Sequence, residues 1–235
     1  MKERIIVALD TDSPENALAT VRSLAGEVGL FKVGMELFPR GGPELVRQIV
    51  AEGYGVFLDL KFHDIPNTVA GAVRSAAAMG VRFATVHASG GKAMLAAAAE
   101  AAGGAGTTLL AVTVLTSLDD ADLADVGFSM GAKDAVLRLA GLAAASGIGG
   151  IVCSANEVAA VRACLGKNAV LVTPGVRMPG GDAGDQKRVV TPSEAVSRGA
   201  DYIVVGRPVT RAKDPAAAAR EIAESMRRGA AGGAA

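Results

Sequence analysis

Eight short apolar, β-branched runs alternate with Ala/Leu/Glu/Arg-rich stretches from one end of the sequence to the other. The runs are Arg4–Asp10, Leu30–Gly34, Gly55–Lys61, Arg82–His87, Thr107–Leu115, Gly149–Cys153, Ala169–Thr173 and Asp201–Val205. Each is almost continuously apolar, the pattern of strands covered on both faces. Helices are expected over Pro14–Ala25, Gly42–Glu52, Asn67–Met79, Gly91–Ala102, Gly131–Ser146, Ala155–Leu165, Thr191–Arg198 and Asp214–Arg228. Ser13-Pro14 and Asp214-Pro215 supply start signals, a capping side chain followed by a proline at the first helical position. Eight βα units in 235 residues predict an α/β fold, a single-domain (β/α)8 TIM barrel. An open doubly wound sheet is the alternative, because pattern alone does not show closure.

With no Pro/Gly/Ser linker, residues 1–228 read as one barrel domain and residues 229–235 as a low-complexity Gly/Ala tail expected to fray. The connection from Pro174 to Val190 is long, glycine-rich and charged. Its place after the seventh strand suits a lid. Half the residues are apolar and 20% charged, which excludes wholesale disorder. Lys+Arg and Asp+Glu balance at 24 each, and only six Phe and two Tyr occur. Neither a basic face nor stacking platforms for nucleic acid are therefore expected. The two cysteines, Cys153 and Cys164, make no disulfide framework or metal motif and fit a reducing cytosol. The opening MKERIIVALD is too short in apolar residues for a signal segment, and no run approaches the roughly 20 residues of a membrane span. A soluble, cytoplasmic protein is the expectation.

The C-terminal ends of barrel strands form the active face. Charged residues gather at those ends: Asp10, then Lys32, then Asp59 and Lys61, with Asp64 just beyond. Any one of these could be a solvated loop charge. Five on three consecutive strand ends, all in apolar context, point to a site. Asp59 and Lys61 are two apart, so strand alternation puts both on one face. Their attraction reaches about 4 kcal/mol at 4 Å and an effective dielectric near 20, before desolvation is subtracted. Carboxylates at positions 59 and 64 should keep Lys61 protonated, which favours proton donation over imine formation. Carboxylates also bind Mg²⁺, but Lys32 and Lys61 compete for them. His87 ends the fourth strand and His63 lies in the turn after the third. Neither has a chemical role assigned from the sequence. After the eighth strand, Gly206-Arg207-Pro208 offers backbone N–H groups and a forked guanidinium where barrels often hold phosphate, and Arg177 and Gln186 could approach from the long connection.

The third strand and its turn read VFLDLKFHDIPNTV over residues 56–69. This resembles the signature DxKxxDIPxT of the orotidine 5′-monophosphate decarboxylase family. The resemblance extends to Val7–Asp10, Phe31–Gly34, Val114–Ser117, Thr173–Arg177 and Val205–Pro208, nearly the whole chain. DxKxxD alone is shared with relatives acting on sugar phosphates, and the following Ile65-Pro66-Asn67-Thr68 makes it specific. The resemblance implies a cofactor-free decarboxylation of orotidine 5′-monophosphate to UMP, with Lys61 protonating C6. It implies an alternating network of Lys32, Asp59, Lys61 and Asp64. Asp10 and Lys32 would hold the ribose, and Thr116 would lie by the pyrimidine. Gln186 would bridge phosphate and base, and Arg177, Gly206 and Arg207 would serve the phosphate, with Ile65 also in the substrate-binding set. It further implies a homodimer in which Asp64 and Thr68 reach the neighbouring subunit's site. A Mg²⁺-dependent sugar-phosphate decarboxylase or aldolase of the same superfamily is the alternative. Those relatives place a glutamate where this chain has Lys32, with Glu36 farther along. A catalytically silent, nucleotide-binding barrel is a third possibility.

Overall fold

The computed structural model describes residues 1–178 and 190–232. Eight strands carry the sheet: β1 (Ile5–Ala8), β2 (Leu30–Gly34), β3 (Gly55–Phe62), β4 (Phe83–His87), β5 (Thr108–Val112), β6 (Gly150–Val152), β7 (Val170–Thr173) and β8 (Tyr202–Val205). The helices are α1 (Pro14–Ser23), α2 (Phe38–Ala51), α3 (Pro66–Ala78), α4 (Gly91–Ala102), α5 (Asp120–Asp125), α6 (Ala132–Ala145), α7 (Val158–Leu165), α8 (Pro192–Ser197), α9 (Arg207–Thr210) and α10 (Pro215–Gly232). All neighbouring strands are parallel, in chain order, and β1 pairs with β8. The sheet is therefore closed, which decides between the barrel and the open sheet. No helix among the described residues is long and apolar enough to cross a membrane.

Strand alternation divides the core into two layers. Ile5 and Val7 of β1 face the helices, with Phe31, Val33, Val56 and Leu58 in the same layer. Ile6, Ala8, Leu30, Phe57, Phe83, Leu110, Val172 and Val204 fill the barrel interior. Phe83 packs edge-on against Phe57, ring centroids 6.2 Å apart, and against Tyr202 at 5.1 Å. The scarce aromatics thus form an apolar floor, and anything polar on the inward face above it lies towards the mouth.

Local chemistry explains most element boundaries. The Ser13 hydroxyl caps α1 by accepting from Asn16 N–H, with Pro14 opening the helix. Thr191 and Glu194 form a reciprocal capping box at α8. Gly42, at φ +58°, kinks α2 in front of Pro43. A helix expected from Gly42 therefore has an extra turn ahead of it. The short α5 and α9 were not expected from the sequence. Within the expected tail, residues 229–232 are helical, since α10 continues to Gly232 with Gly229 buried. Small residues there permit close packing of α10 on α8 rather than fraying.

Candidate active site

Register brings the first charged residues together. Ala8 pairs with Lys32, and Gly34 with Asp59, so the ends of β1, β2 and β3 stand side by side. Lys32 Nζ donates to Asp10 Oδ1 at 2.9 Å. A Cβ on Gly34 would stand 2.9 Å from that ammonium, so the glycine leaves Lys32 its room. The end of β2 thus holds a cation already paired with a carboxylate. That donor set does not suit Mg²⁺.

The third strand departs from simple alternation. Leu58 is opposite Ala84, yet Phe62 is opposite Val86, so β3 bulges against β4. Within the bulge Lys61 has φ +51°, and it is the one non-glycine with positive φ among the described residues. Such a conformation costs roughly 1–3 kcal/mol and persists only where its surroundings enforce it. Lys61 N–H donates to Thr85 Oγ1 at 2.8 Å, and that hydroxyl donates to Asp59 Oδ1 at 3.0 Å. Asp59 Oδ2 accepts from Lys61 Nζ at 2.9 Å. Asp59 and Lys61 do meet as expected, through a bulge instead of plain two-residue spacing.

The opposite wall comes from the loops after β5, β7 and β8. Thr116 and Ser117, Pro174, Gly175 and Arg177, and Gly206 and Arg207 surround a cavity of about 330 Å³, shared with Asp10, Lys32, Asp59 and Lys61. Ala8, Phe57, Val112, Val152 and Val204 form its apolar base. The long connection after β7 starts and ends in register: Val176 bridges Val190, and Arg177 N–H donates to Val190 O at 2.9 Å. Gln186 and the body of the expected lid lie outside the described residues.

Eight of the site residues read from the sequence line this cavity: Asp10, Lys32, Asp59, Lys61, Thr116, Arg177, Gly206 and Arg207. Asp64, Ile65 and Thr68 do not. They are exposed beside it, on the turn after β3 and the first turn of α3. Asp64 accepts from the Ile65 N–H and forms no ion pair with Lys61 among the described residues. Of the two carboxylates expected beside Lys61, one is in contact with it within the chain. His87 lies at the end of β4 with its ring centroid 5.4 Å from that of His63. Burial, then the neighbouring His63 and Lys61, lower its pKa, with Asp59 acting against them. Thr85 was missed, since a threonine in an apolar strand is an ordinary β-former.

A concave pocket of this size, with ammonium groups on one wall and guanidinium-bearing loops on the other, suits a small anionic molecule. At the C-terminal mouth of a closed parallel barrel, it defines a barrel enzyme. Residues 3–222 match the orotidine 5′-phosphate decarboxylase / HUMPS family, and the chain belongs to that family. Orotidine 5′-phosphate decarboxylase of Anaeromyxobacter sp. (strain K) is 58% identical over 224 residues, covering 95% of this chain and 98% of the relative. The enzyme of the same name from Halorhodospira halophila is 54% identical over 225 residues, with 95% of each chain covered. The crystal structure of orotidine 5′-phosphate decarboxylase from Lactobacillus acidophilus superposes with a TM-score of 0.84 at 39% identity, covering 95% of this chain and 99% of that one.

Proposed function

We propose that the chain decarboxylates orotidine 5′-monophosphate to UMP, with Lys61 as proton donor and Lys32, Asp59 and Asp64 completing the charged network. The observation that carries the mechanism is the Lys61–Asp59 contact of 2.9 Å inside the cavity. When the C6–carboxylate bond breaks, CO₂ leaves and the electron pair stays on C6. The pyrimidine ring offers that pair no delocalisation, so its stabilisation has to be electrostatic. The Lys61 ammonium supplies positive charge at that carbon, then the proton that forms the C6–H bond of UMP. No cofactor enters the scheme. Asp59 faces the substrate carboxylate and fixes the ammonium. Asp10 and Lys32 engage the ribose hydroxyls, and Thr116 lies beside the pyrimidine. Gly206, Arg207 and Arg177 take the phosphate, whose binding energy helps organise the charged groups around the reacting carbon.

The working unit in this reading is a homodimer, and cytoplasmic pyrimidine nucleotide synthesis is its setting. Exposed Met35 and Ile65 flank the mouth, and the Asp64 carboxylate there has no cation partner among the described residues. A second copy covering this face would take Asp64, Ile65 and Thr68 to the neighbouring cavity. Co-expressed Lys61→Ala and Asp64→Ala chains, each inactive alone, would then regain roughly a quarter of native turnover, from the one intact site of each mixed dimer. No recovery would show that each chain uses its own Asp64.

The reaction is tested by ultraviolet-monitored loss of orotidine 5′-monophosphate in protein pre-treated with EDTA. The native chain should turn over and Lys61→Ala should not, while both melt alike. Turnover that returns only with added Mg²⁺ would favour the sugar-phosphate reading. Native-like turnover of Lys61→Ala would remove Lys61 from the donor role.

A further inference from the structure

We infer that Thr85 is a positioning residue for the Asp59–Lys61 pair. The inference rests on the proposed reading of Lys61 as proton donor. Thr85 is fully buried on β4, two residues beyond the floor residue Phe83, and does not line the cavity. Its hydroxyl closes a ring of three hydrogen bonds: Lys61 N–H to Thr85 Oγ1, Thr85 Oγ1 to Asp59 Oδ1, and Lys61 Nζ to Asp59 Oδ2.

The direction of each bond is fixed by chemistry. A backbone N–H can only donate, so the hydroxyl accepts there, and its single proton goes to the carboxylate. That proton occupies one oxygen of Asp59 and leaves the other to face the ammonium. At the same time the hydroxyl receives the N–H of the one described non-glycine held at positive φ. The same group therefore fixes the backbone that carries the ammonium and the carboxylate that orients it. β-branching limits the side chain's rotation on the strand, so the hydroxyl is pre-set rather than recruited.

Valine keeps the branched shape of threonine but leaves a buried N–H and a carboxylate oxygen without their partner. Serine keeps the hydroxyl. Thr85→Val should lower kcat roughly 10- to 100-fold, the usual scale for displacing a reacting group by a fraction of an ångström to an ångström. Its KM for orotidine 5′-monophosphate and its affinity for UMP should change little, because the ribose and phosphate contacts lie on other strands. Thr85→Ser should recover most of the lost kcat. A native-like kcat in folded Thr85→Val would overturn the inference. So would an equal loss in valine and serine variants, or a rise in KM and loss of UMP binding matching the fall in kcat. Should the valine variant not fold, Thr85→Cys, with its weak donor, takes its place under the same criteria. Lys61→Ala in the same assay separates the two readings. An active Lys61→Ala removes the reading on which the inference rests, whereas an inactive one beside a native-like Thr85→Val removes the positioning role alone.

Discussion

His87 couples the mouth of the barrel to pH. Burial and the nearby His63 and Lys61 hold its pKa below the ordinary value of about 6.5, so the unfolded chain takes up this proton first as acid is added. The stability associated with neutral His87 is complete above about pH 6.5 and is lost as pH falls through the lower folded pKa. The melting temperature should therefore decline as pH falls below about 6.5, and less steeply in His87→Asn. Parallel curves for the two proteins would show that other groups set the slope. Single residues also show what a sequence makes readable. Asp10, Lys32, Asp59 and Lys61 were legible because each closes an apolar run, and barrel geometry sends the ends of such runs to one rim. Thr85 was not, since its partners are fixed by a bulge that arises from β3 pairing with β4. Asp64 was legible as a motif residue, yet a single chain does not bring it to Lys61.

Among the elements, α10 shows how composition misleads. Its glycine and alanine suggested a fraying end, whereas Gly229 is where the helix meets the backbone of Ser193 in α8. A Cβ at Gly229 would collide with the Ser193 carbonyl, which is main chain and cannot swing aside. Two effects compete in Gly229→Ala: helix propensity favours alanine by about 1 kcal/mol, and overpacking costs about 1–3 kcal/mol. The clash should win, lowering the melting temperature by several degrees. Gly141→Ala in α6, where an added Cβ would meet nothing within 4 Å, should hold or raise it. A stabilised Gly229→Ala would mean that α10 can lift from α8 without cost. The eight strands were readable because helices cover one face and barrel interior the other, so apolar runs are uninterrupted. The helix α5 was overlooked although its Asp119/Asp122 capping box stands in the sequence. At one turn, α9 is too short for periodicity to register.

At the scale of the whole molecule, the pairing of β1 with β8 makes the sheet a ring. It has no edge strands to protect, and the turn at Lys2–Arg4 rests against α10. A ring has no intrinsic first member. Chain order could accordingly be cut elsewhere: at the exposed turn of residues 103–106 between α4 and β5, away from the βα loops that build the cavity. A circular permutant opened there, with the old ends joined by a glycine-rich linker long enough to span them, should melt cooperatively and keep its turnover. An aggregated product would mean that the order of synthesis guides closure. A soluble, active one would make the order of the elements along the chain an inheritance of the gene, to which the folded barrel is indifferent.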